Sequence, residues 1–106
     1  MDRLFPEKLL NIITIDALEG KLVDSFRKYG ASGYTVLRAQ GEGSSGIRSD
    51  MTGFDANIMI KVIIPPDRLP AMLDSLERKI KKGHHLTVFI VDIDVLSPEK
   101  FDERMR

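Results

Sequence analysis

The stretch Gly41-Glu42-Gly43-Ser44-Ser45-Gly46-Ile47-Arg48-Ser49 gathers more potential chemistry than any other part of the 106-residue chain. Gly41, Gly43 and Gly46 free the backbone to adopt positive φ and to approach a ligand closely. Ser44, Ser45 and Ser49 add hydroxyls, and Arg48 adds a planar, permanently charged fork suited to phosphate or carboxylate. Backbone N–H groups backed by one guanidinium would bind phosphate. The other reading is a flexible turn carrying a solvated arginine. A Walker loop is excluded, because no Gly-Lys-Ser/Thr follows and no helix starts directly after the glycines.

Other residues carry two readings each. Arg38 is either a second phosphate or carboxylate contact or a cation at a strand edge, and Asn57 is either a polar contact at a cleft or a strand-start residue bonded to the loop. His84 and His85 are adjacent, so on a strand they would point to opposite faces and could not chelate one ion together; no metal is expected. Lys81-Lys82 is a solvated helix end or a phosphate contact. Asp92 and Asp94 lie on one strand face, roughly 7 Å apart. No nucleophile, metal set or positioned histidine joins them, so an ion-paired oligomer core accounts for them better than acid–base catalysis.

These residues need a scaffold, and composition bounds it. The length fits a single domain spanning 1–106. Sixteen cations balance sixteen anions, which argues against a general nucleic-acid binder. There is no cysteine, hence no disulfide framework and no thiolate zinc site. No apolar run is long enough to enter a bilayer and Met1 to Pro6 has no signal-peptide core, so a cytoplasmic protein is expected.

Hydrophobic periodicity gives the elements. Glu7 to Ile15 reads as a strand apolar on both faces, and therefore central. Asp16, answered by Glu19, has the spacing of a helix cap, and Leu18, Leu22, Phe26 and Tyr29 follow on one face of a helix over 16–29 that stops at Gly30. Tyr34 to Gln40 is a second strand, followed by the glycine-rich loop and an aperiodic run to Asp55. Ala56 to Ile64 alternates cleanly and ends at Pro65-Pro66. Asp67 is placed to cap a second helix, with Leu69, Met72, Leu73, Leu76 and Ile80 as its stripe and Gly83 as its stop. Leu86 to Leu96 is the last strand, and Ser97-Pro98-Glu99 ends it.

The order β-α-β-β-α-β predicts an α+β, ferredoxin-like fold with both helices on one face of a four-stranded antiparallel sheet. The other face would carry Met59, Ile63, Val88, Ile90 and Leu96 among Asn57, Lys61, Asp92 and Asp94, too apolar for free solvation. A homo-oligomer is expected to pack these faces together, with Lys61 paired to Asp92 or Asp94.

Several short stretches carry a resemblance: Gly30-Ala31-Ser32-Gly33-Tyr34-Thr35-Val36 leading into Gly41-Glu42-Gly43-Ser44, then Ile47-Arg48-Ser49, Ala56-Asn57-Ile58 and Val95-Leu96-Ser97-Pro98-Glu99-Lys100-Phe101. Over nearly its whole length the chain resembles the PII-like signalling proteins, especially the branch linked to bicarbonate uptake and carboxysome operons. The resemblance implies a homotrimer that binds an adenine nucleotide (AMP, ADP, ATP or cyclic AMP), with bicarbonate as a further ligand, in clefts between subunits. It implies a T-loop, here about 42–55, that contacts a partner such as a bicarbonate transporter without inserting into the membrane; the residues themselves give a charged tail at 97–106. Carried onto this chain, Gly41, Gly43 and Ser44 form the loop base and Arg48 faces the phosphates, with Ser49, Asn57, Gly83 and His85 completing the nucleotide-binding set. Gly83-His84-His85 and Ser97-Pro98-Glu99 stand where nitrogen-type members have a lysine- and glycine-bearing turn and arginines, so the nitrogen-type mode of ATP and 2-oxoglutarate binding is not carried over. No catalytic residue is expected. The competing class is a small ferredoxin-like phosphohydrolase acting on an acyl phosphate or nucleotide, with Asn57 the one nearby residue that could orient water.

Overall fold

The computed structural model describes residues 3–31, 33–40, 42–43, 46–47 and 57–100. The chain runs through β1 (Phe5–Ile15), α1 (Glu19–Lys28), β2 (Thr35–Arg38), β3 (Glu42–Gly43), β4 (Gly46–Ile47), β5 (Asn57–Ile64), α2 (Leu69–Lys81) and β6 (Thr87–Val95). Single 3₁₀ turns at Asp16–Leu18 and Pro66–Arg68 lead into the helices, and a third, Pro98–Lys100, follows β6. Four strands form one antiparallel sheet in the order β2-β5-β1-β6, the ferredoxin-like arrangement. The central position of β1 matches its two apolar faces.

The alternation of β5 is realised residue by residue. Ile58, Ile60, Val62 and Ile64 are buried under the helices, and Asn57, Met59, Lys61 and Ile63 face the open side half-covered. With Leu10 and Ile12 of β1, Leu22 and Phe26 of α1, and Met72 and Leu76 of α2 they make one core. Each fully buried side chain of this size contributes about 1.5–3 kcal/mol. A buried contact between Ser25 Oγ and Ser75 Oγ (3.2 Å) joins the two helices.

Both helices stop at glycine as expected. Gly30 (φ 89°) and Gly83 (φ 101°) adopt left-handed backbone, and the N–H groups of Ala31 and His84 reach back to the carbonyls of Phe26 and Lys79. This six-to-one closure satisfies carbonyls that the helix end leaves open. The helix starts differ from the reading of the sequence. Asp16 and Asp67 do not cap by side chain at the N-cap position; each lies inside a 3₁₀ turn. Within those turns the backbone carbonyls of Asp16 and Pro66 accept the N–H groups of Glu19 and Leu69, so the added turn replaces the capping box.

Strand β6 faces the opposite way from the sequence expectation. Its register with β1 pairs Ile12 with Val88, Leu10 with Ile90 and Lys8 with Asp92, which puts Val88, Ile90, Asp92 and Asp94 on the helix side. Thr87, Phe89, Val91 and Ile93 take the open side. Both alternating sets of β6 begin apolar, so alternation alone could not choose between them; pairing with β1 does. As an edge strand, β6 runs past the helical cover, and Asp92 stays 84 % exposed. Its ion-pair partner is Lys8 on the neighbouring strand, so the expected pairing of Lys61 with Asp92 or Asp94 is not formed within the chain. Strand β1 separates β5 from β6, and Lys61 turns instead to Asn11.

Candidate cleft on the open face of the sheet

Of the residues singled out from the sequence, Gly41, Ser44, Arg48 and Ser49 lie outside the described residues, as do residues 50–55. Gly43 belongs to β3 and stands opposite Gly46 of β4. The loop base is therefore a small antiparallel ladder, where the sequence read as irregular. Asn57 opens β5, pairs with Ile15, and accepts the Ala39 N–H on its backbone carbonyl at 3.1 Å, which ties the end of β2 to the start of β5. Gly83 serves the helix end described above. His85 is exposed, and its carbonyl accepts the hydroxyl of the buried Thr14 at 2.9 Å. Asn57 and His85 thus flank the same end of β1, on opposite sides of it. Two strand spacings separate them, about 10 Å. One chain does not bring them together.

The same face holds a cleft of ≈ 330 Å³, lined by Leu9, Gly33, Tyr34, Thr35, Lys61, Ile63 and Lys100. Pairing builds its floor: Leu9 lies opposite Ile63, and Thr35 opposite Lys61. Tyr34, the residue before β2, borders the cleft at the strand end, but its ring turns to the helix side, tilted against Phe26 of α1 at 6.0 Å between centroids. Lys100 arrives from the 3₁₀ turn beyond β6.

Lys61 is set in place by a buried polar residue. Its Nζ donates to Asn11 Oδ1 at 2.9 Å, and Asn11, 1 % exposed, points its amide at the carbonyls of Leu9 (3.3 Å) and Phe89 (3.5 Å). The partner is neutral, so this contact orients the ammonium without cancelling its charge. Aliphatic side chains beside two lysines can hold an apolar group and an attached anion. None of the cleft residues is among those singled out for ligand binding from the sequence. The available signal was a lysine between Ile60 and Val62 and an asparagine in the apolar run of β1, which pair across the sheet. Among the described residues, no group of three or more His, Cys, Asp or Glu side chains is placed to hold a metal ion, and no helix is long and apolar enough to cross a membrane.

The sheet order, the helical layer and the open face with its cleft define a ferredoxin-like α+β protein. The family model of the nitrogen regulatory protein P-II matches residues 7–100, and the chain belongs to that family. It is similar to CPII, a nitrogen regulatory PII-like protein from Thiomonas intermedia, solved bound to ADP, AMP and bicarbonate: 31 % identity over 92 % of this chain and 95 % of that one, TM-score 0.82. A candidate PII-like signalling protein from Thermus thermophilus matches at 32 % identity over 92 % of this chain and 97 % of that one, TM-score 0.76. A further structure from Shewanella baltica, at 20 % identity over 82 % of this chain and 89 % of that one with TM-score 0.65, shares the fold. No curated protein matches the sequence.

Proposed function

We propose that this chain is a trimeric PII-like regulator that binds an adenine nucleotide, ADP or AMP first among them, together with bicarbonate, in clefts between subunits. The observation that carries the reading is the likeness to CPII bound to ADP, AMP and bicarbonate, which extends over nine-tenths of the chain. The physical supports are the apolar open face, which needs a cover, and the cleft beside β2, where Lys61 and Lys100 would meet phosphate and Leu9 and Ile63 a base. Asn57 and His85, on opposite sides of β1, would contribute to clefts completed by a neighbouring subunit. Gly41, Gly43, Ser44, Arg48 and Ser49 would supply donors from the loop base.

In this reading the loop after β2 changes order with the ligand and gains or loses a protein partner such as a bicarbonate transporter. That requires a nucleotide affinity that differs between the two loop states.

Calorimetry with AMP, ADP, ATP and cyclic AMP, each with and without bicarbonate, tests the proposal. Binding at one site per subunit is expected, with ADP or AMP strengthened by bicarbonate. Arg48→Ala should weaken the nucleotides with more phosphates most. No binding at millimolar ligand to a trimeric sample overturns the reading, and steady release of phosphate from nucleotide would place the chain with the phosphohydrolases.

A further inference from the structure

On the opposite side of the molecule, the outer surfaces of α1 and α2 enclose a groove of ≈ 420 Å³. Lys21, Lys28, Arg78, Lys79 and Lys82 line it against a single carboxylate, Asp24, on a chain whose formal net charge is zero. The positive charge is therefore gathered at this place and balanced elsewhere.

The cations at its centre are held in position by neutral groups. Lys79 Nζ donates to Ser25 Oγ at 2.8 Å and to Ser75 Oγ at 3.1 Å, and those two hydroxyls, 7 % and 4 % exposed, contact each other. Arg78 Nη2 donates to the Tyr29 hydroxyl at 3.1 Å. The two donors are thus drawn onto the floor and wall of the groove by oxygens that carry no charge. An arrangement that only served solubility would leave these side chains extended into water.

We propose that the α1–α2 groove is a second anion site, for a small phosphate-bearing ligand of the diphosphate type, separate from the cleft on the open face of the sheet. The Arg78 fork suits two oxygens of one phosphate, and Lys79 and Lys82 supply point charges beside it. The volume falls within the range of small-molecule sites, roughly 300–1,000 Å³, and exceeds what one tetrahedral oxyanion needs. Five cations against one carboxylate favour a multiply charged phosphate over a lone carboxylate. Lys79 is consistent with this: burial first, then the neighbouring Arg78, Lys82 and Lys21, hold its pKa below the ordinary lysine value, with Tyr29 opposing, so an arriving anion would relieve an existing penalty.

The test is titration of the full chain with inorganic pyrophosphate, orthophosphate and, as a carboxylate control, acetate, at physiological salt. Binding is followed by calorimetry and by backbone amide shifts. Pyrophosphate is expected to bind more tightly than orthophosphate, with shifts centred on Ser25, Tyr29, Ser75, Arg78 and Lys79. Lys79→Gln and Arg78→Gln should each weaken it about tenfold, as for loss of one charge-assisted hydrogen bond. Lys82→Gln, at an exposed position that poses no folding risk, should weaken it about threefold by losing a screened charge, and Lys8→Gln on β1 should not change it. Shifts spread over all surface lysines, shifts confined to the Lys61 cleft, an equal response to acetate, or unchanged affinity in the Lys82 and Arg78 variants would each overturn the proposal. Because Lys61 and Lys79 report separately, failure here leaves the nucleotide reading standing, and the reverse also holds.

Discussion

Phe89→Ala tests whether the open face of the sheet is an assembly surface. Phe89 sits on the open side of β6, opposite Asn11, and is 42 % exposed. Full burial of a phenylalanine contributes about 1.5–3 kcal/mol, so covering the exposed part would contribute roughly 0.6–1.3 kcal/mol per subunit. Three copies give about 2–4 kcal/mol per trimer, or roughly 25- to 600-fold in the association constant. Sedimentation over a concentration series reads this directly. The control is Ile80→Ala, because Ile80 is equally exposed at 44 % but lies on α2, in the helical layer. The variant at Phe89 should shift dissociation to higher concentration and the one at Ile80 should not. Equal effects, or no effect at Phe89, would refute the reasoning, since the open face would then be ordinary solvated surface.

Three further outcomes follow from contacts described above. Lys61→Met keeps the stem of the side chain and removes its charge; ADP affinity by calorimetry should fall about tenfold or more, the worth of one charge-assisted hydrogen bond, and AMP affinity less. Lys79 loses its proton in the folded chain below the ordinary value of 10.5. Between those two pKa values the unfolded chain binds more protons, so stability should rise with pH through that alkaline window and level off above 10.5. Urea unfolding should show this contribution to the slope, and Lys79→Met should remove it. Gly83→Ala meets nothing within 4 Å and should cost only left-handed strain, about 1–2 kcal/mol. At Gly30 an added Cβ would lie 2.6 Å from Arg68 Nη1, the far end of a flexible side chain that can swing away, so Gly30→Ala should cost a similar amount, and Arg68→Ala should change that cost little.

What could be read from the sequence follows from where neighbours decide the outcome. The clean alternation from Asn57 to Ile64 is a local pattern that the structure realises, and so is the stripe Leu69, Met72, Leu73 and Leu76, while Ile80, read as the end of that stripe, is 44 % exposed. Gly30 and Gly83 were legible as helix stops because only glycine takes positive φ at no steric cost. The face of β6 was not legible. Val88 and Phe89, or Ile90 and Val91, are equally apolar neighbours, and the pairing with β1 that decides between them joins residues some eighty positions apart. The partner of Lys61 escaped for the same reason, since Asn11 meets it only across the sheet. The cleft draws on β1, on the approach to β2, on β5 and on the turn after β6, so no single stretch announces it. The loop residues named for phosphate were chosen by type, and type alone carries no geometry.

The position of β1 has a consequence for the order in which the molecule can be made. It is the first strand to leave the ribosome, yet its two partners are β5 and β6, the last strands of the sheet. At synthesis rates of about 5–20 residues per second, Leu10 and Ile12 wait seconds for one edge to be paired and longer for the other. Helix α1 and strand β2 are complete in that interval but cannot enclose it. A chain interrupted before Thr87 would leave the central strand β1 with an open edge. Closure of this sheet thus waits for β6, and the hazard of pairing with the wrong chain is greatest before that strand emerges.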